Sequence, residues 1–372
     1  MIDSNNLLTI VLTLKDRSPF TYRWMDWMNL NKCPYKILIA DGGSDKELEK
    51  HLKDYANYPN LNYEYLRYPY DETLEIFYDK WNNVIQRVET PYTMLTDNDD
   101  FVILDHLNEK ISFLEQNKAY SCYLGKIITF DVLKENQKID DLVYGGDMNF
   151  YANPPVPSIE NANPSDRTIN AFESYVGSVW YSIMRTDISK IIAKEVYDAE
   201  IRIILTIEFY MFLMLSVFGK IKTDDKLHYI RQRGTSQASN GVGYEGREDY
   251  LLRLFTPNWQ YDYALLTKCI VKYLHKKESD FKEENYLIKY REAYRNYIIP
   301  TIKVQVCDKK IRFFKLKTII LNSKFLSKIL LLLEKIIHKK IAPLIMDVNE
   351  LRNEVSIPKL IEFMYKNNTD IK

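Results

Sequence analysis

The stretch Tyr92-Thr93-Met94-Leu95-Thr96-Asp97-Asn98-Asp99-Asp100-Phe101 decides the reading of this chain. Its first half is an apolar run that reads as a buried strand. Its second half crowds three carboxylates and an amide into consecutive positions. An unpaired carboxylate is too costly to bury inside a strand, so the cluster belongs at the strand's C-terminal end. Open α/β sheets bind ligands at that edge. Hard oxygen donors gathered there suit Mg2+ or Mn2+ holding a diphosphate. For Asp97-Asn98-Asp99 taken alone a solvated acidic turn stays open, because so short a pattern also arises by chance.

Upstream, Leu7 to Leu14 reads as a strand that ends at Lys15-Asp16-Arg17. A helix follows from about Pro19 to Asn29, with Ser18 as its cap and Pro19 in its first position. The next strand, Lys36 to Ala40, runs into Asp41-Gly42-Gly43-Ser44-Asp45 and a helix from Lys46 to Tyr55. A strand at Leu61 to Leu66 and a helix from Thr73 to Val88 lead back to the acidic cluster. This alternation argues for an α/β fold with a mostly parallel sheet flanked by helices. Asp41 and Asp97 each end a strand, so both acidic loops fall on one rim, where a nucleotide would sit. Read by itself, Asp41 to Asp45 serves equally well as a Gly-rich turn or a ligand contact.

Downstream, Leu124 to Arg185 is less regular. Asn153 to Pro157 and Asn161 to Asp166 read as loops, in a segment long enough to face a substrate. Ile201 to Phe218 is a strongly apolar helix closed by Gly219. Glu208 is the only charge between Arg202 and Lys220. Such a carboxylate is either a general base or the partner of a cation in the helical layer. A basic loop, Arg231-Gln232-Arg233-Gly234-Thr235-Ser236, follows. Tyr175, Trp180 and Tyr181 fit an aromatic platform for a sugar, although such residues more often pack in a core. His106, His228 and His275 lack metal-ligand spacing and read as structural.

A chain of 372 residues is long for one domain, and the texture turns helical after Asp249, with helices expected at Tyr263 to His275 and Glu283 to Tyr297. The division expected is a catalytic domain over 1–245 and an α-helical C-terminal region over 246–372. Lysine plus arginine and aspartate plus glutamate both number 51, so no whole-protein field points to nucleic acid. Cys33, Cys122, Cys269 and Cys307 form no CxxC pair, which fits reduced thiols and a cytoplasmic setting. The first residues lack the basic start of a leader, and no apolar run reaches the ~18–20 residues of a membrane span. Lys303 to Lys340 holds eleven lysines and arginines against Asp308 and Glu334. It reads either as a peripheral contact with anionic membrane or as packed helices with solvated lysines.

Together the segments Thr9 to Asp45, Asp97 to Asp100 and Glu208 to Ser236 resemble the GT-A glycosyltransferases of family 2, the inverting nucleotide-sugar transferases. The resemblance covers roughly residues 7–240 and is patchy between Phe130 and Ala199. It rests on Asp16-Arg17, on Asp41-Gly42-Gly43-Ser44-Asp45, on the helix holding Lys80, Trp81 and Asn82, and on Asp97-Asn98-Asp99-Asp100. It rests also on Glu208, eleven residues before Gly219, and on Arg231 and Ser236. It implies a GT-A (Rossmann-like) fold and transfer of a sugar from a nucleotide-sugar donor, with UDP favoured, to a glycan or lipid-linked acceptor, as in surface polysaccharide synthesis. It implies that Asp99 and Asp97 hold the metal and that Glu208 is the general base. Asp16, Arg17, Asp41, Lys80, Asp97, Asn98 and Arg231 would bind the nucleotide sugar. Arg233 stands where the family often has a metal-binding histidine. An arginine cannot ligate a cation, so the diphosphate is its expected partner. Two rivals are a nucleotidyltransferase and a non-catalytic glycan-binding protein. Leu14 to Pro19 lacks the glycines of the first rival's phosphate loop, and the presence of Asp97, Asp99 and Glu208 counts against the second.

Overall fold

The computed structural model describes residues 6–134, 137–138, 141–145, 147–153, 155–174, 179–235, 257–308 and 356–367. The expected boundary at 245/246, Ser236, Tyr175 and most of the basic segment (309–340) lie outside the described residues.

Three strand–helix units and a fourth strand open the chain. They are β1 (Leu8–Leu14), α1 (Ser18–Leu30), β2 (Lys36–Asp41), α2 (Lys46–Lys53), β3 (Asn62–Arg67), α3 (Leu74–Gln86) and β4 (Tyr92–Thr96). Then come β5 (Phe101–Val102), α4 (Leu107–Gln116), β6 (Tyr120–Lys134), β7 (Gln137–Lys138) and β8 (Asp147–Ala152). After these follow α5 (Pro164–Glu173), β9 (Ile183–Arg185), α6 (Thr186–Ala199), α7 (Leu205–Phe218) and β10 (Lys220–Gln232). Three further helices are α8 (Pro257–Lys277), α9 (Glu283–Asp308) and α10 (Ser356–Lys366). The fold is thus a mixed, mostly parallel sheet flanked by helices, with a helical C-terminal region. Among the described residues no helix is long and apolar enough to cross a membrane.

The sheet runs β3-β2-β1-β4-β9-β6-β10-β5, with β7 and β8 on β6. β1, β2, β3 and β4 are parallel, and the short β9 turns the direction between β4 and β6. In register, Leu14 pairs with Asp41 and Leu12 with Thr96, so β1, β2 and β4 end on one edge. Both faces of these strands are covered, and β1 and β4 are buried nearly throughout, as in a parallel sheet with helices on both sides.

The segment that reads as irregular, from Leu124, begins inside a strand of fifteen residues, β6. It pairs with β10 along most of its length. Gly219 ends α7 in an extended conformation, φ −171°, so no left-handed cap explains it. A Cβ there would sit 2.7 Å from Ser121 N and 2.9 Å from Ala119 O. The glycine lets β10 start against β6. The C-terminal region also returns to the sheet. On α10, Phe363 stacks edge-on against Trp27, Phe101 and Tyr144, and Ile357, Leu360 and Met364 are buried.

Candidate active site

The acidic cluster sits where β4 ends, and β10 closes over it. The backbone N–H of Gln232 donates to Asp100 Oδ1 at 2.9 Å, and Arg231 Nε lies 3.7 Å from Asp100 Oδ2. Tyr181 donates its hydroxyl to Asp97 Oδ2 at 2.7 Å. Tyr181 is held by Tyr229, whose ring stacks on it at 4.0 Å and whose hydroxyl accepts from Asp97 N. Arg23, fully buried, donates to the Asp99 carbonyl and to Gln232 Oε1. Burial pulls its guanidinium down to about 10. The Asp99 side chain accepts from Thr235 Oγ1 at 2.6 Å and from Arg17 at 3.3 and 3.4 Å.

Oxygens of Asp97, Asp99 and Asp100 lie within 4.8 Å of one another. Burial, then the charge on Asp99, pushes the Asp97 carboxyl up to about 6, and Asp100 is driven well above the usual range by the same causes. The cluster faces Arg17 and Arg231, with the buried Arg23 behind Asp99. Its donors are hard carboxylate oxygens, so it fits a cation of the Mg2+ or Mn2+ kind.

One cavity of about 300 Å³ joins this cluster to the rest of the site. Of the residues expected to act, Arg17, Lys80, Asp97, Asn98, Asp99, Glu208 and Arg231 line it. Asn98 also turns its amide back to Thr21 Oγ1 at 3.0 Å. Glu208 lies in the first turn of α7, half-buried. Its charge is among those raising Asp97 and Arg231. The helix is pinned at both ends. Asp262 of α8 accepts from Arg202 N and Ile203 N at 2.9 and 2.8 Å, and Arg167 of α5 donates to the Ser216 and Val217 carbonyls. These contacts fix where Glu208 enters the cavity.

Three expected residues stand apart from the cavity lining. Asp41 is buried and satisfied: Oδ1 accepts from Gly43 N, and Oδ2 accepts from Tyr65 and Arg67. Asp16 accepts from the Ser44 N–H and hydroxyl and so fastens the β1–α1 loop to the β2 turn. Arg233 turns to Asp131 at 3.8 Å and lies over the Tyr151 ring. Ser18 sits inside α1 and donates to Asp45; the position before the helix belongs to Arg17, in a left-handed conformation.

Sequence reasoning missed Lys15, Asp71 and Thr235. Asp71 and Lys80 form a buried ion pair, and Lys80 also donates to the Leu14 carbonyl. Lys15 donates to the Asp71 carbonyl at 2.6 Å. A Cβ on Gly42 would collide with the Asp71 carboxylate, which gives that glycine a steric reason. Trp180 lines the cavity beside Trp81, while Tyr181 is a support for Asp97. His228 is buried, hydrogen-bonded to the Tyr181 carbonyl and depressed to about 3 by burial, so it stays neutral.

No family model matches the sequence, and no curated protein matches it. Among solved structures, the chain is similar to residues 1–349 of S. aureus TarS, with 11% identity and a TM-score of 0.47 over 84% of this chain and 78% of that one. It is similar to GalNAc-T7 with UDP, GalNAc and Mn2+, at 10% identity and TM-score 0.44 over 70% of this chain and 48% of that one. It is also similar to the mannosyltransferase PcManGT of Pyrobaculum calidifontis with GDP-Man and Mn2+, at 10% identity and TM-score 0.40 over 98% and 87%.

Proposed function

We propose that this protein is an inverting, family 2-like glycosyltransferase that takes a nucleotide-sugar donor, UDP-linked by preference, and glycosylates a hydroxyl of a glycan or lipid-linked acceptor. One observation carries the reading: a single cavity gathers Arg17, the Asp97–Asp100 cluster, Glu208 and Arg231, from segments more than two hundred residues apart in sequence. In this reading Glu208 removes the proton from the acceptor hydroxyl. That oxygen attacks the anomeric carbon, and the bond from carbon to the donor diphosphate breaks as the new one forms. Arg17 and Arg231 offer positive charge to the departing diphosphate. Asp97 and Asp99, with Asp100 beside them, would hold the divalent cation, which when bound serves as a Lewis acid for the leaving group.

The test is a thermal-shift panel of UDP, GDP, CMP and dTDP sugars with and without Mn2+. A donor that raises the melt only with Mn2+ supports the reading; no response to any donor sinks it. Glu208→Gln should keep donor binding and lose transfer. Asp99→Ala should lose transfer and donor hydrolysis.

A cytoplasmic protein touching the inner face of the membrane completes the reading. The basic residues of Lys303 to Lys340 support it. Replacing Lys309, Lys310, Arg312, Lys315 and Lys317 with glutamine should abolish co-sedimentation with anionic vesicles. Persistent sedimentation would refute the contact.

A further inference from the structure

We propose that Arg17 is a built-in counter-ion that competes with the divalent cation for Asp99 and moves to the donor's diphosphate, so that cation and nucleotide bind cooperatively. The anion's identity rests on the nucleotide-sugar reading above; the competition at Asp99 does not.

Five observations carry it. Both terminal nitrogens of Arg17 reach one oxygen, Asp99 Oδ2, at 3.3 and 3.4 Å. This is a long, one-oxygen contact rather than the paired fork that arginine makes with carboxylate or phosphate. The same oxygen is already served by Thr235 at 2.6 Å, so Arg17 is the weaker of its two partners. Arg17 Nε is buried with no hydrogen-bond partner among the described residues, so a third donor of the guanidinium is unspent. The backbone is also strained towards this arrangement. Arg17 and Asp16 both lie in the left-handed region, at φ 58° and 54°, which non-glycine residues avoid. Ser44 and Tyr70 hold Asp16 there, and Phe20 lies under the guanidinium at 4.3 Å. The side chain lines the cavity and is a fifth exposed, so it can reach a ligand without unfolding its surroundings.

The consequence follows from charge. A divalent cation among Asp97, Asp99 and Asp100 repels a guanidinium held against Asp99. A diphosphate in the cavity offers that guanidinium two oxygens in place of one. Each ligand therefore eases the other's entry, and the coupling is reciprocal.

Calorimetric titrations test this with Mn2+ alone, with UDP alone and with UDP in saturating Mn2+, on wild type, Arg17→Gln and Arg17→Lys. Arg17→Gln should bind Mn2+ alone about fivefold or more tighter, bind UDP with Mn2+ at least about tenfold weaker, and lose most of the coupling. Arg17→Lys keeps the charge without the fork. Its Mn2+ affinity should stay near wild type while UDP weakens. Equal or weaker Mn2+ binding by Arg17→Gln overturns the proposal. Should that variant not fold, Arg17→Lys decides, and a fall in both affinities overturns it. A wild type that binds Mn2+ but no nucleoside diphosphate refutes the nucleotide-sugar reading instead. Tighter Mn2+ binding by Arg17→Gln would still support the competition, and unchanged binding would end it.

Discussion

Asp97→Asn should stabilise the metal-free protein at neutral pH and destroy its response to metal. The Asp97 carboxyl is raised from 3.8 to about 6 by burial and by Asp99. A raised carboxylate favours the protonated form in the fold. Its contribution is present below about 3.8 and is lost as pH rises through about 6. Two units at ~1.4 kcal/mol each put the cost of ionised Asp97 at roughly 3 kcal/mol above pH 7. Asparagine cannot ionise, and its carbonyl can still accept from the Tyr181 hydroxyl. It also removes one of the charges that raise Asp100. The lost attraction to Arg231 works the other way, so 3 kcal/mol is a ceiling. For a chain of this length that corresponds to a melting rise of about 4 °C. The assay is thermal unfolding in EDTA at pH 5 and pH 7.5. The gap between variant and wild type should be roughly half as wide at pH 5, where the unfolded chain has released this proton and the fold has not, as at pH 7.5, where both have. Adding Mn2+ should raise the wild type and leave the variant unmoved. A gap independent of pH would refute the electrostatic reasoning.

Asp262→Ala orphans the N–H groups of Arg202 and Ile203, costing about 1–3 kcal/mol; turnover should fall more than donor affinity, because α7 carries Glu208. Equal losses in kcat and donor affinity would speak against a positioning role. Phe363→Ala should cost about 3–5 kcal/mol in a denaturant titration, because its ring fills the space between Trp27, Phe101 and Tyr144. An unchanged midpoint would show that α10 does not pack there. Gly219→Ala should cost about 1–3 kcal/mol through overpacking against Ala119 and Ser121, and a neutral result would contradict that close approach.

The first half of the fold was legible because its strands are short, apolar and separated by polar turns. Each of β1 to β4 lies within about two residues of its expected place. β6 was not legible, and its burial explains why. Along Tyr120 to Lys134 the less buried positions recur about every third residue instead of alternating, because most residues are buried on both faces. The strand also pairs irregularly with β10, with register shifts around Thr223 to Tyr229. Neither periodicity nor turn residues mark such an element.

The site divides along the same line. Asp97 to Asp100 and Glu208 were visible because an acid among apolar neighbours is conspicuous. What neutralises an acid was invisible. Asp41 ends a strand on the right edge, yet Tyr65 and Arg67 of β3 consume its carboxylate. Lys80 meets Asp71, nine residues earlier and outside any helix. Arg231 and Arg233 are two apart, but β10 ends between them at Gln232. Strand geometry points Arg231 at Asp100, and the turn beyond it sends Arg233 to Asp131 on β6. A chain can therefore display its charges in sequence and hide their pairing. At a site built from like charges, the pairing decides which carboxylates are left to bind a cation.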